Sequence, residues 1–359
     1  MMAGKNRNVY MDVMRAISCI LIIGGHVTAY NWDDASAGSF KYQVLNISDN
    51  ICALGVPLFI MMSGALHLNA EYKLTIKNLL IKKFLRIFIT YYFWLLFYNI
   101  FSFVQNGYEW SLFNIKFHIV GQMVRGQGIY HLWFIPKLMF MYLLTPIIKE
   151  GLKDKKNTLY TLIIYVFVII GIPTLFQFSF PGKDWIEYNF DMDKFYAVTS
   201  TFGYLGYYIA GHYVHSFVGP LKKYQRVLSY IILAGSTFAA IILGYMRTVH
   251  LGIADTTFIN PLYLPEFIGG ISLFILFKDW CMKLESKGSP KWLQSLGKLT
   301  FGIYLVHPVI LKFFPMFGIS VLSPQPYIMI PLLVSAVFVI SLGISYLLNK
   351  IPIMRKWIL

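Results

Sequence analysis

The residues that invite a chemical reading sit in an apolar stretch, "MDVMRAISCILIIGGHVTAY", at positions 11 to 30. It carries Asp12, Arg15 and His26. Arg15 and His26 are eleven residues apart, close to three turns of an α-helix, so they share one helix face about 16 Å apart along the axis. Asp12 lies one turn before Arg15 on roughly the same side. A guanidinium is suited to phosphate, and an imidazole exchanges a proton near neutral pH. The face therefore offers a cation at one level and a potential base at another. Gly24 and Gly25 would let a backbone or a thin ligand approach beside His26. A plainer arrangement uses the same residues: Asp12 pairs with Arg15 at the membrane interface, and His26 hydrogen-bonds to a neighbouring helix.

Other stretches hold candidates of the same kind. "TIKNLLIKKFLRIF", 75–88, places Lys82, Lys83 and Arg86 among leucines and phenylalanines. At helical spacing this predicts an amphipathic helix along the cytoplasmic interface, either an anchor to anionic lipid or a platform for the phosphates of a nucleotide-bearing substrate. In "GVPLFIMMSGALHL", 55–68, Ser63 and Gly64 suit close helix packing. In "HLWFIPKLMFMYLLTP", 131–146, His131 and Trp133 fit interface anchors, while Lys137 lies two turns deeper. "FGIYLVHPVILKFF", 301–314, puts His307 and Pro308 mid-span, where the proline frees a carbonyl. Glu266 in "PEFIGG" needs a partner, for which Lys137, Arg15 or a histidine would serve.

The elements that position these groups follow from composition. The chain has 359 residues, 57% hydrophobic and 13% charged, against about 25% charged in a soluble domain. Too few polar side chains remain to coat a water-facing surface. Apolar runs near the ~20 residues of a membrane-spanning helix recur ten times, at 10–30, 44–68, 87–105, 130–148, 158–176, 196–217, 227–246, 260–280, 299–316 and 327–349. They are continuous rather than alternating, which argues against a strand barrel. An ionisable group at mid-bilayer costs at least ~2.5–3.5 kcal/mol on insertion scales, so Arg15, Lys137 and Glu266 call for a reason.

The excess of 31 basic over 16 acidic residues is explained by topology rather than by nucleic acid. With both termini cytoplasmic, the inner segments carry 22 Lys and Arg, beginning with Lys5 and Arg7, and the outer loops carry 6. The first run reads as a retained span, since an arginine interrupts it and no small-residue cleavage site follows. Cys19, Cys52 and Cys281 fall in apolar segments without ligand spacing, giving no metal or disulfide framework. The expectation is one all-α integral membrane domain over 1–359, with about ten transmembrane helices, one interfacial helix and no soluble appendage.

The ordered set formed by Arg15 and His26, "VPLFIMMSG", "HLWFIP" and "FGIYLVHP" resembles the acyltransferase 3 family of bacterial integral membrane proteins. The resemblance covers nearly the whole chain. It implies transfer of an acyl group, usually acetyl from cytoplasmic acetyl-CoA, to a hydroxyl of an envelope glycan or lipid-linked sugar, in the bacterial cytoplasmic membrane. It implies that Arg15 and His26 are required for activity. The family's basic pair after the second span falls on Lys83 and Arg86, a lysine standing for the usual first arginine. Pro57 stands where many members carry an aspartate, which points toward the branch that includes enterobacterial common-antigen acetyltransferases and the membrane part of a serine racemase. A secreted esterase-like domain found in some members is absent from the sequence. Other readings of the same intramembrane charges are a transporter or flippase for an amino acid or glycan precursor, and a sensor or structural partner in glycan assembly.

Overall fold

The computed structural model describes residues 9–69, 75–128, 130–282 and 290–359. Lys5, Arg7 and parts of the basic loops near 69–86 and 278–298 lie outside the described residues. Every element among those described is helical. The principal helices, in chain order, are α1 (Val9–Ala29), α2 (Phe40–Ala53), α3 (Gly55–His67), α4 (Ile76–Gln105), α5 (Tyr130–Gly151), α6 (Lys155–Leu175), α7 (Met192–Phe217), α8 (Lys223–Leu251), α9 (Leu264–Met282), α10 (Lys291–Met316) and α11 (Pro326–Lys350).

Taken with α2 and α3 as one broken passage, these make ten long helical segments, and among the described residues nine are long and apolar enough to span a bilayer. The exception is α7. Its 26 residues include Asp193, Lys194, His212, His215 and five tyrosines. Asp193 and Lys194 lie exposed in its first turn, whereas Tyr204, Tyr207, Tyr208 and His212 are buried among neighbouring helices. Tyr207 and Tyr208 are fully buried; Tyr207 donates to the Pro261 carbonyl at 2.7 Å, and the Tyr208 hydroxyl meets that of Thr145 at 2.8 Å. Each phenol thus satisfies its polar end inside an apolar bundle.

The closest crossing is between α3 and α7. A Cβ on Gly64 would overlap the Tyr208 carbonyl, and one on Gly211 would overlap that of Met61. Small residues let the two backbones touch where lipid supplies no hydrophobic drive. This is the packing role expected of Gly64, whereas Ser63 beside it faces a cavity. The break between α2 and α3 falls at Leu54, just ahead of Pro57 in the first turn of α3, where its missing N–H costs nothing.

The basic segment behaves differently from expectation. Residues 76–84 do not form an interfacial helix set apart from the span; they are the first turns of α4, with Leu79–Phe84 wound in wide π-type turns. No glycine or proline interrupts 75–105, so nothing in the backbone stops the helix from running on.

α1 packs against α2, α3, α10 and α11. Gly24 and Gly25 serve this arrangement: a Cβ on Gly24 would collide with the Cys52 sulfur, and one on Gly25 would lie 3.5 Å from Asp49 Oδ1. The close approach they permit is made by α2. α10 lies along the other side of α1 and brings His307 beside His26.

Candidate active site

Two centres lie along α1, one at Arg15 and one at His26. At the first, Arg15 Nη1 donates to Asp12 Oδ1 at 3.0 Å across one helical turn, with Asp12 fully buried. The ion pair of the plainer reading is therefore formed, yet the Arg15 side chain remains 25% exposed. It opens on a cavity of about 480 Å³, a size typical of small-molecule sites.

α4 contributes Lys82, Lys83, Arg86, Ile87 and Thr90 to this cavity, and α3 contributes Phe59, Met62, Ser63, Leu66 and His67. Phe134, Leu138 and Tyr142 of α5 and Gly297, Thr300 and Phe301 of α10 close it. Four cations thus face apolar and aromatic walls, and among the described residues no carboxylate lines the cavity. That combination suits an anion attached to a lipophilic or slender body. Ser63 donates to the Phe59 carbonyl at 3.1 Å, its hydroxyl turned back onto its own helix.

Arg86 is held from behind. Its Nη2 donates to the main-chain oxygens of Leu359 and, at 3.4 Å, Arg355. Thr90 Oγ1 reaches the Trp357 carbonyl at 3.1 Å, and Trp94 Nε1 that of Ile358 at 3.2 Å. The turn Met354–Ile358, with Ile358 and Leu359 buried, is docked along α4 beside the cavity. A planar guanidinium fixed through one edge keeps its fork oriented.

His67 is a cavity residue that sequence reasoning passed over. Its Nδ1 donates to the Ser63 carbonyl at 2.8 Å and its ring meets Tyr142 edge-on at 4.6 Å. The available signal was its place four residues after Ser63, on the same helix face.

His26 does not line this cavity. Ser18, Cys19 and Ile22, which lie between it and Arg15 on that face, are buried, so the two centres are not joined by open space. His26 belongs to an aromatic cluster. Its ring stacks on His307, with centroids 5.2 Å apart and planes 20° apart, and meets Tyr130 edge-on at 4.9 Å. His131 lies 5.6 Å from His307 at 76°, with Tyr98 and Tyr304 around it. His131 and His307 are buried while Tyr130 is 51% exposed, so the cluster opens toward Tyr130.

The cluster's hydrogen bonding is incomplete. His307 Nδ1 meets the Tyr304 carbonyl at 2.7 Å, but His307 Nε2 and both His131 nitrogens have no partner. Each such buried polar atom costs about 1–3 kcal/mol. Among the described residues no three histidine, cysteine or acidic side chains converge to hold a metal ion.

The remaining candidates stand apart. Lys137 Nζ donates to the Ser200 carbonyl at 3.0 Å and sits over the rings of Trp133 and Tyr204, at 4.9 and 4.7 Å. Glu266 pairs with none of the groups proposed for it: both carboxyl oxygens are buried without a hydrogen-bond partner. Its electrostatic neighbours are Asp49 of α2 and Tyr207 of α7. Helices far apart in the chain meet there, which spacing along one helix does not reveal.

Fold and site together define a multi-pass helical membrane protein with an anion-suited cavity and an imidazole cluster along one central helix. A family model described as an acyltransferase domain matches residues 8–350; the chain belongs to this acyltransferase family, and it is a membrane acyltransferase. Comparison with curated proteins and with solved structures returns no match.

Proposed function

We propose that the protein moves an acetyl or other short acyl group from cytoplasmic acyl-CoA to a hydroxyl of an extracytoplasmic envelope glycan or lipid-linked sugar in the bacterial cytoplasmic membrane. The observation that carries this reading is the cavity at Arg15, with four cations on apolar walls. Coenzyme A matches it in kind, with phosphates at one end of a long, slender thioester arm. In this reading Lys82, Lys83 and Arg86 take the phosphates, and the end of the bundle bearing them faces the cytoplasm.

Arg15 lies one level deeper, and His26 follows about 16 Å further along α1. Delivery of the thioester to His26 requires the side chains at Ser18, Cys19 and Ile22 to yield to the arm. His26 then removes the proton of the acceptor hydroxyl, the oxygen forms its bond to the thioester carbonyl, and the carbon–sulfur bond breaks. The proton passes to the departing thiolate, so nothing is left over. A two-step route through acetyl-His26 uses the same residues. Solute transport has weaker support, because a solute carrier has no use for four cations gathered on apolar walls.

The test compares envelope glycans by mass spectrometry from cells carrying the wild type, no protein, or His26→Ala. Wild type alone adds the mass of one acyl group, while His26→Ala inserts at normal abundance and adds none. Equal acylation in all three refutes the function; full acylation by His26→Ala refutes the base.

A further inference from the structure

The three histidines near the open end of α1 come from α1, α5 and α10, and their order in space is informative. His26 is partly accessible, His307 lies behind it and His131 behind that. The tautomer of His307 is set by its surroundings. A carbonyl only accepts, so the Nδ1 bonded to Tyr304 at 2.7 Å carries the proton, and Nε2 of the neutral ring is a bare lone pair. That lone pair is buried and unpartnered. A group placed only for packing has no use for it.

The spacing fits proton exchange between rings. Imidazole nitrogens lie about 1.2 Å from the ring centre, so an in-plane N–H···N bond of about 2.9 Å sets two centroids roughly 5.3 Å apart. His26 and His307 are 5.2 Å apart, and His307 and His131 are 5.6 Å apart. Rotation of the His26 ring alone, with His307 kept on the Tyr304 carbonyl and neither helix translated, would convert the stack into a hydrogen-bonded pair.

We infer that His307 is the proton partner of His26. Resting on the acyl-transfer reading above, it takes over, through Nε2, the proton His26 removes from the acceptor hydroxyl, and returns it by way of His26 to the sulfur as the carbon–sulfur bond breaks. His131 shares that proton at the closed end. No oxidant, reductant or metal enters the step. The titratable groups facing His307 are His26, His131 and Tyr304, with Tyr98 and Tyr130 one ring further out. Three neutral imidazoles so placed hold one proton between them but not two, because like charges at this spacing repel.

The discriminating variant is His307→Asn. Its amide N–H replaces Nδ1 on the Tyr304 carbonyl, and it has nothing in place of Nε2. The assay supplies radiolabelled acetyl-CoA to inside-out membrane vesicles and follows label into the glycan fraction across pH 5 to 9. Loss of general acid–base assistance predicts a fall of about 10²–10⁴-fold in kcat. The KM for acetyl-CoA stays the same, thermal stability is near wild type, and the acid limb of the pH–rate profile is displaced. Retained kcat in His307→Asn, or a loss that tracks KM or stability with an unmoved acid limb, overturns the inference. Wild-type vesicles that transfer no label overturn the acyl-transfer reading instead, so the two failures are distinct.

Discussion

Arg86 faces the cavity while four main-chain oxygens of the segment 355–359 hold its helix from behind. If that docking fixes the guanidinium for phosphate, loosening the docked turn should weaken coenzyme binding without touching any cavity cation. The double variant Thr90→Val, Trp94→Phe removes two donors, the Trp94 N–H on the Ile358 carbonyl and the Thr90 O–H shared between the carbonyls of Trp357 and Arg86. A buried neutral hydrogen bond is worth about 0.5–1.5 kcal/mol net, so the turn loses roughly 1–3 kcal/mol. At 1.4 kcal/mol per tenfold, the ceiling on lost affinity is roughly 5- to 140-fold, reached when binding requires the docked turn. Isothermal titration of the detergent-solubilised protein with coenzyme A measures it, with Arg86→Gln alongside. An unchanged Kd in the double variant, with a weaker one in Arg86→Gln, refutes the positioning argument. Unchanged values in both remove Arg86 from the phosphate site altogether.

Two further outcomes follow from the same geometry. Lys82→Gln, Lys83→Gln should reduce coenzyme A affinity at low salt and flatten its decline as salt rises. Screening shortens from ~10 Å at 0.1 M to ~3 Å at 1 M, and equal salt slopes by titration would count against a phosphate platform. Gly211→Ala drives a methyl into the Met61 carbonyl at the α3–α7 crossing. Overpacking of this kind costs about 1–3 kcal/mol, so a detergent melting curve should shift down, and an unmoved midpoint would show that the crossing yields freely.

Arg15 and His26 lie on one face, as their spacing requires, but a shared face is not a shared lumen. Helical periodicity fixes the angle between two side chains and says nothing of what other helices push into the gap. Here Ser18, Cys19 and Ile22 are buried between them. The histidine that does line the cavity beside Arg15 is His67, which a neighbouring helix brings there. Glu266 tells the same story: its depth in a span was legible, whereas its proximity to Asp49 depends on how α2 and α9 lie.

What the chain by itself determined is whatever short-range chemistry decides. Run length and the scarcity of charge set a helical membrane bundle, because an unpaired backbone is costly in lipid. The ordered motifs set the acyltransferase family, and the 3.6-residue period set which groups share a face. Tertiary structure alone decided the gathering of His26, His131 and His307, the clamp on Arg86 and the break between the two centres. Each of those depends on contacts between segments tens to hundreds of residues apart, whose relative placement follows from close crossings such as Gly64 with Tyr208, and local sequence carries no measure of that placement.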